Sequence, residues 1–184
     1  MRSHKLHPAN GHQETFAAGK CIPLSDDFSG TTVSVLNIRV DSVAYPDAVD
    51  PGLVGTYSPL VKAGGGYVWD DVLEYRVWCH PERGSHDLEE GSDYYYSFVT
   101  YAEALAFSES TEGSEAPLAL IRQREYIAEP NPGEYLHVKE ERITEWPVEF
   151  LRRPRRTQNT IPDFLSPDAP ANRLDILRGL ANQK

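Results

Sequence analysis

The stretch DYYYSFVTYAEALAFSES, residues 93–110, constrains this chain more than any other. Its first half is aromatic, the composition of a strand packed against neighbours. Its second half opens with Thr100 and carries Glu103 three positions on. That T-x-x-E capping box satisfies two orphan N–H groups at a helix start. The spacing therefore predicts a strand over 93–99 that runs directly into a helix over 101–110. Tyr101, Ala104, Leu105 and Ser108 share one helical face, and Gly113 is a natural stop. The rest of the core is expected to pack onto this unit.

Further strands are legible on both sides of it. Residues 73–80 (LEYRVWCH) place Leu73, Tyr75, Val77 and Cys79 on one face and Glu74, Arg76, Trp78 and His80 on the other. Pro81 ends that strand because it has no N–H for the ladder. Residues 82–92 are an acidic loop containing glycine. Residues 117–127 (PLALIRQREYI) read as a third strand, apolar through its first half as a central strand is. EPNPG at 129–133 is a turn by composition. Residues 134–138 and 142–148 read as two arms of a hairpin, with Pro147 putting the later arm at an edge or ending it. The expected class is α+β: a small, mostly antiparallel sheet of four or five strands with one main helix on one face, flanked by irregular tails.

At 184 residues the expectation is one domain with tails, the core being residues 67–151. Residues 1–66 are expected to be a poorly structured N-terminal extension. Within it, 31–43 (TTVSVLNIRVDSV) is a candidate edge strand, and AGGG at 63–66 reads as a linker. Residues 152–184 form a basic, proline-rich tail. A short helix is expected there, capped by Asn172, with Leu174, Leu177 and Leu180 on one side.

Several function classes are disfavoured. No run of about 18 apolar residues occurs, so no membrane span is expected. Cys21 and Cys79 make neither a disulfide framework nor a zinc motif, which suggests a reducing, cytoplasmic setting. Cys79 reads as a buried hydrophobe. No metal site is expected; His4, His7 and His12 are scattered in a polar stretch. Residues 67–151 hold 19 acidic against 6 basic residues, a field that repels nucleic-acid phosphates. Arg152, Arg153, Arg155 and Arg156 follow at once. Such a cluster either folds back on an acidic face or docks on an acidic protein partner.

No phosphate-cradling loop, nucleophile elbow or zinc-protease motif is present, and no cofactor is assigned. What remains is a constellation on strand faces. His80 beside Glu82 is a candidate acid–base pair, since an imidazole near a carboxylate titrates close to neutral pH. Glu145 is the third candidate catalytic residue. Arg76, Trp78, Tyr94 and Tyr96 are candidate ligand contacts. Arg76 between apolar neighbours is also suited to an ion pair with a carboxylate such as Glu145.

The segments VWDDVLEYRVWCHPERG, GSDYYYSFVTYAEALAFSEST, PLALIRQREYI, ERITEWPVEFL and TIPDFLSPDAPANRLDILRGLA, from about Val68 to Leu180, resemble a small bacterial family often labelled GNAT-type acetyltransferase. The resemblance implies acetyl transfer from acetyl-CoA. The R/Q-x-x-G-x-G/A loop of such enzymes does not occur, so no acetyl-CoA residue is assigned. A looser similarity is to ADP-ribosyltransferase-like folds, which implies nucleotide-holding roles for Arg76 and Ser97 and an orienting role for Glu145. The absence of every specific motif favours a ligand- or protein-binding module, with a transferase as the alternative.

Overall fold

The computed structural model describes residues 4–5 and 44–181. In chain order the strands are β1 (His4–Lys5), β2 (Lys62–Ala63), β3 (Asp71–Cys79), β4 (Tyr94–Phe98), β5 (Leu118–Gln123), β6 (Tyr126–Asn131), β7 (Glu134–Val138) and β8 (Arg142–Pro147). Helix α1 spans Tyr101–Ser110, α2 Thr160–Leu165 and α3 Arg173–Leu177. The main sheet has the order β1-β4-β3-β5-β8-β2, and β6 and β7 form a separate pair. The four inner strands are antiparallel; two-residue strands join in parallel at each edge. The class is α+β, as expected.

The strand–helix unit forms as its sequence dictates. Thr100 Oγ1 accepts from the Glu103 N–H at 3.2 Å, and the Glu103 carboxylate accepts from the Thr100 N–H at 3.1 Å. Alternation along β4 turns Tyr96 and Phe98 toward α1, where both pack on Phe107. Tyr75 and Val77 of β3, Ala104 of α1, Ala119 and Ile121 of β5 and Trp146 of β8 complete this core. Each large apolar side chain buried here contributes about 1.5–3 kcal/mol.

Alternation in β3 breaks at its start. The β3–β5 register shifts between Val72 and Glu74, so Val72 joins Tyr75 and Val77 in the cluster against α1, while Leu73, also buried, lies outside that cluster. The single strand expected over 117–127 is two, β5 and β6, in different sheets. Between them the Arg124 N–H turns aside to the Asp70 carboxylate at 2.7 Å. Strands β7 and β8 form where expected but do not pair with each other: β7 pairs with β6, and β8 with β5. The candidate edge strand at 31–43, Cys21 and two of the early histidines, His7 and His12, lie outside the described residues.

Residues 44–66, grouped by sequence with the extension, run along the sheet. The Ala48 N–H bonds the Val99 carbonyl at 2.9 Å, and the Tyr75 hydroxyl bonds the Pro46 carbonyl at 2.6 Å. The tail also folds. Ile161 and Phe164 of α2 and Leu177 of α3 bury against Val68 and Ile127 as a second apolar cluster. Among the described residues no helix is long and apolar enough to cross a membrane.

Two arginines of the cluster, Arg155 and Arg156, fold back on two buried aspartates, while Arg153 stacks over Phe150 at 3.9 Å. Arg155 pairs with Asp71, and Arg156 with Asp70 at 2.8 Å. Arg122 and Arg124 reach the same Asp71 carboxylate at 2.8 and 3.1 Å. Burial works to raise the Asp71 carboxyl, but the Arg122 hydrogen bonds and the charges of Arg122, Arg124 and Arg155 outweigh it and hold it below the ordinary value. A carboxyl depressed on folding stabilises above its unfolded value of 3.8, and that contribution is lost as pH falls through the folded value. Acid unfolding of the wild type should therefore have a component that Asp71→Asn lacks. Circular dichroism between about pH 5 and pH 2 checks it: parallel wild-type and variant curves would remove Asp71 as the cause.

Candidate functional site

The expected site residues separate into two places on β3. Arg76 lies mid-strand and His80 just past its end. Glu145 lies level with Glu74 across Leu120, and the six residue steps from Glu74 to His80 span about 20 Å of extended chain. A single pocket containing His80, Glu82 and Glu145 is therefore not formed.

The Arg76 place is closed. Arg76 and Glu74 are fully buried. The guanidinium donates to Glu74 at 2.7 Å, to Glu145 at 2.8 Å and to the Ser58 carbonyl at 2.9 Å, and it stacks over the Tyr95 ring at 4.4 Å. Segment 55–58 straps over this face: the Gly55 N–H bonds Glu74 at 2.6 Å, and the Tyr57 carbonyl accepts from Tyr95. Ser97 is the cross-strand partner of Arg76, and its hydroxyl is buried without a hydrogen bond. Trp78 packs on Tyr95 at 4.8 Å. Tyr94 and Tyr96 project to the opposite face by strand alternation. Tyr94 is buried, its hydroxyl pushed up to about 12 chiefly by that burial. Tyr95 is the member of the triplet that shares the Arg76 face.

The His80 place is a corner built by three segments. A 3-10 turn, Pro81–Arg83, returns Glu82 toward the ring. The turn before β4 brings Asp93. The loop after α1 brings Glu115, anchored by its N–H to the Trp78 carbonyl at 2.8 Å. Gly113 lets this loop dock: its φ is +72°, its carbonyl accepts the His80 N–H at 3.0 Å, and a Cβ there would fall 2.4 Å from the Ser85 nitrogen. His80 is only 8% exposed. Its Nδ1 lies 2.9 Å from Asp93 and 3.8 Å from Glu82, and its Nε2 lies 3.1 Å from Glu115. These are ion-pair distances, yet neither buried nitrogen has an aligned hydrogen bond. Asp93 and Glu115 are not legible in the sequence as site residues, because each reaches His80 only through tertiary folding.

Beside the strap lies an open cleft of about 390 Å³ between residues 57–62 and 140–143, lined also by Tyr126, with Lys62 and Arg142 set against Glu140 and Glu141. Arg142 has no carboxylate within ion-pair distance among the described residues. It donates to the Gly64 carbonyl and stacks at 5.2 Å from the Tyr126 ring, and its Nε is buried without a partner. Burial pulls its guanidinium below the ordinary value. By sequence alone Arg142 reads only as a strand residue, because nothing local marks it as lacking a counter-charge. Cys79 is fully buried, and that burial raises its thiol, which makes it a poor nucleophile.

No family model matches this chain, and no curated protein or solved structure matches it either.

Proposed function

We propose that this protein is a ligand-binding module whose cleft takes a small molecule with an anionic group. Arg142 carries this reading. A desolvated cation without a carboxylate partner is costly unless a counter-charge arrives. Its fork suits a carboxylate or phosphate bidentately. Tyr57, Leu60 and Tyr126 supply apolar and aromatic surface beside it, the mixture that ligand clefts combine. The free buried thiol of Cys79 fits a reducing, cytoplasmic setting. Of the four tail arginines, Arg155 and Arg156 are already paired with Asp71 and Asp70; Arg152 is exposed and is the one left open to an acidic protein partner.

Thermal shift against acetyl-CoA, CoA, NAD, simple phosphates and carboxylates tests it. A ligand at about 100 times its Kd adds roughly 2.7 kcal/mol. Arg142→Ala should remove the shift and Arg142→Lys should retain part of it. Binding that survives Arg142→Ala would move the site elsewhere, and a panel with no hit would sink the anionic-ligand reading. A hit with acetyl-CoA would favour the acetyltransferase that the sequence resembles.

One observation favours a second reading, an ADP-ribosyltransferase-like transferase: Arg76, Ser97 and Glu145 share a region of one sheet face, with Arg76 bonded to Glu145. Catalysis there requires segment 55–58 to lift. NAD binding that is lost in Glu145→Gln and kept in Arg142→Ala is its signature.

A further inference from the structure

We propose that His80, Glu82 and Asp93 bind one divalent transition-metal cation of the zinc type. Their ligand atoms all lie within 4.8 Å of one another, a spread that one ion can draw together. One imidazole and two carboxylates suit a borderline cation such as Zn²⁺, and the two negative charges match its double positive charge.

The carboxylates alone would not make a site. The independent observation is the ring itself. His80 is more than nine-tenths buried, its nitrogens are shielded from solvent, and neither makes an aligned hydrogen bond. Buried polar atoms are ordinarily paired, so such a pair of nitrogens needs an occupant. An Nδ1 lone pair set 2.9 Å from a carboxylate oxygen is repelled unless a proton or a cation lies between them.

Glu115 decides between the two nitrogens. Its oxygen stands 3.1 Å from Nε2 and is itself held by Arg83 at 2.8 Å. A carboxylate there favours the proton on Nε2 and leaves the Nδ1 lone pair for a metal. An outer carboxylate beside a metal-binding imidazole selects the tautomer in this way; here Glu115 acts through its charge at ion-pair distance, without an aligned hydrogen bond. Glu82 is the exposed ligand, at 60%, so an ion can enter from that side. Three protein ligands leave a tetrahedral ion one open position, for water or for a ligand donor atom. Glu115 is thus a positioning residue, not a ligand.

The alternative occupant is a proton: a doubly protonated imidazole bridging Asp93 and Glu115 without metal. Full-length protein carrying His4→Ala, His7→Ala and His12→Ala, to remove adventitious binding, separates the two. After chelation, titration calorimetry with Zn²⁺ should show one ion per chain. Glu82→Gln, a surface change that leaves the core intact, should weaken binding by more than about 100-fold, and Glu115→Gln by about 10- to 100-fold. Co²⁺ in place of Zn²⁺ should give a visible spectrum that shifts in Glu115→Gln and is lost in Glu82→Gln. Absence of Zn²⁺ binding, or binding unchanged in Glu82→Gln, would overturn the site and leave the proton as the occupant.

Discussion

Replacing Gly66 with alanine is expected to cost about 2–5 kcal/mol, the sum of a left-handed backbone carrying a Cβ and a displaced buried amide. Gly64, Gly65 and Gly66 run at φ of +53°, +76° and +78°, a left-handed reversal between β2 and β3. The inner sheet reads the carbonyls of this reversal. Trp146 Nε1 and Gln123 Nε2 both donate to Gly65 at 3.2 Å, and the N–H groups of Val68 and Ile127 donate to Gly66. A Cβ on Gly66 would fall 2.2 Å from Gln123 Nε2. Gln123 is fully buried and also donates to the Val68 carbonyl at 2.7 Å, so it cannot swing into solvent. Gly64→Ala is the control: it carries the same left-handed strain, but nothing lies within 4 Å of its Cβ. Urea denaturation should therefore find Gly66→Ala clearly less stable than Gly64→Ala. Equal losses would mean that only backbone strain matters and that the Gln123 packing contributes nothing. Because Gly64 also receives the Arg142 side chain, the damage should reach the proposed ligand cleft.

That glycine run marks the limit of what local pattern can say. AGGG looks like a linker because glycine supplies no pattern, while the donors that fix the turn sit on β5 and β8, far along the chain. The strand–helix unit is legible for the opposite reason: its capping box and alternation are local, and Thr100 and Glu103 need nothing else. The same divide separates β7 and β8. Their strand character is written in their residues, but their partners depend on where the chain leaves the sheet at Arg124 and Glu125. At the candidate site, His80 and Glu82 are near enough in sequence to be noticed, whereas Asp93 and Glu115 arrive from other segments. Tyr94 and Tyr96 stand out no less than Tyr95, because composition does not say which face a strand residue takes. The register with β3 does, since Trp78 pairs with Tyr95 and Arg76 with Ser97.

Arg76→Ala should destabilise by about 3–5 kcal/mol, the usual penalty for removing one partner of a buried ion pair. Two carboxylates would be left facing each other, Glu74 fully buried and Glu145 at 15% exposure. The triple change Arg76→Met, Glu74→Gln, Glu145→Met should recover most of the loss. It removes every charge of this cluster, while the neutral amide at position 74 still accepts the Gly55 N–H. Thermal denaturation of both variants checks the pair; a triple variant no better than Arg76→Ala would show that packing, not charge, is what Arg76 supplies. The result also bears on function. If Arg76 serves the fold, its loss lowers the melting temperature, and the Arg76→Met triple still binds whatever ligand the Arg142 cleft takes. If Arg76 instead holds a nucleotide under a lifting strap, the triple variant is stable but no longer binds NAD. The buried guanidinium, with all three nitrogens already bonded to Glu74, Glu145 and Ser58, favours the first outcome. A ligand competing for it must first break bonds to two carboxylates, whereas Arg142 is bonded to the Gly64 carbonyl and has no carboxylate to displace.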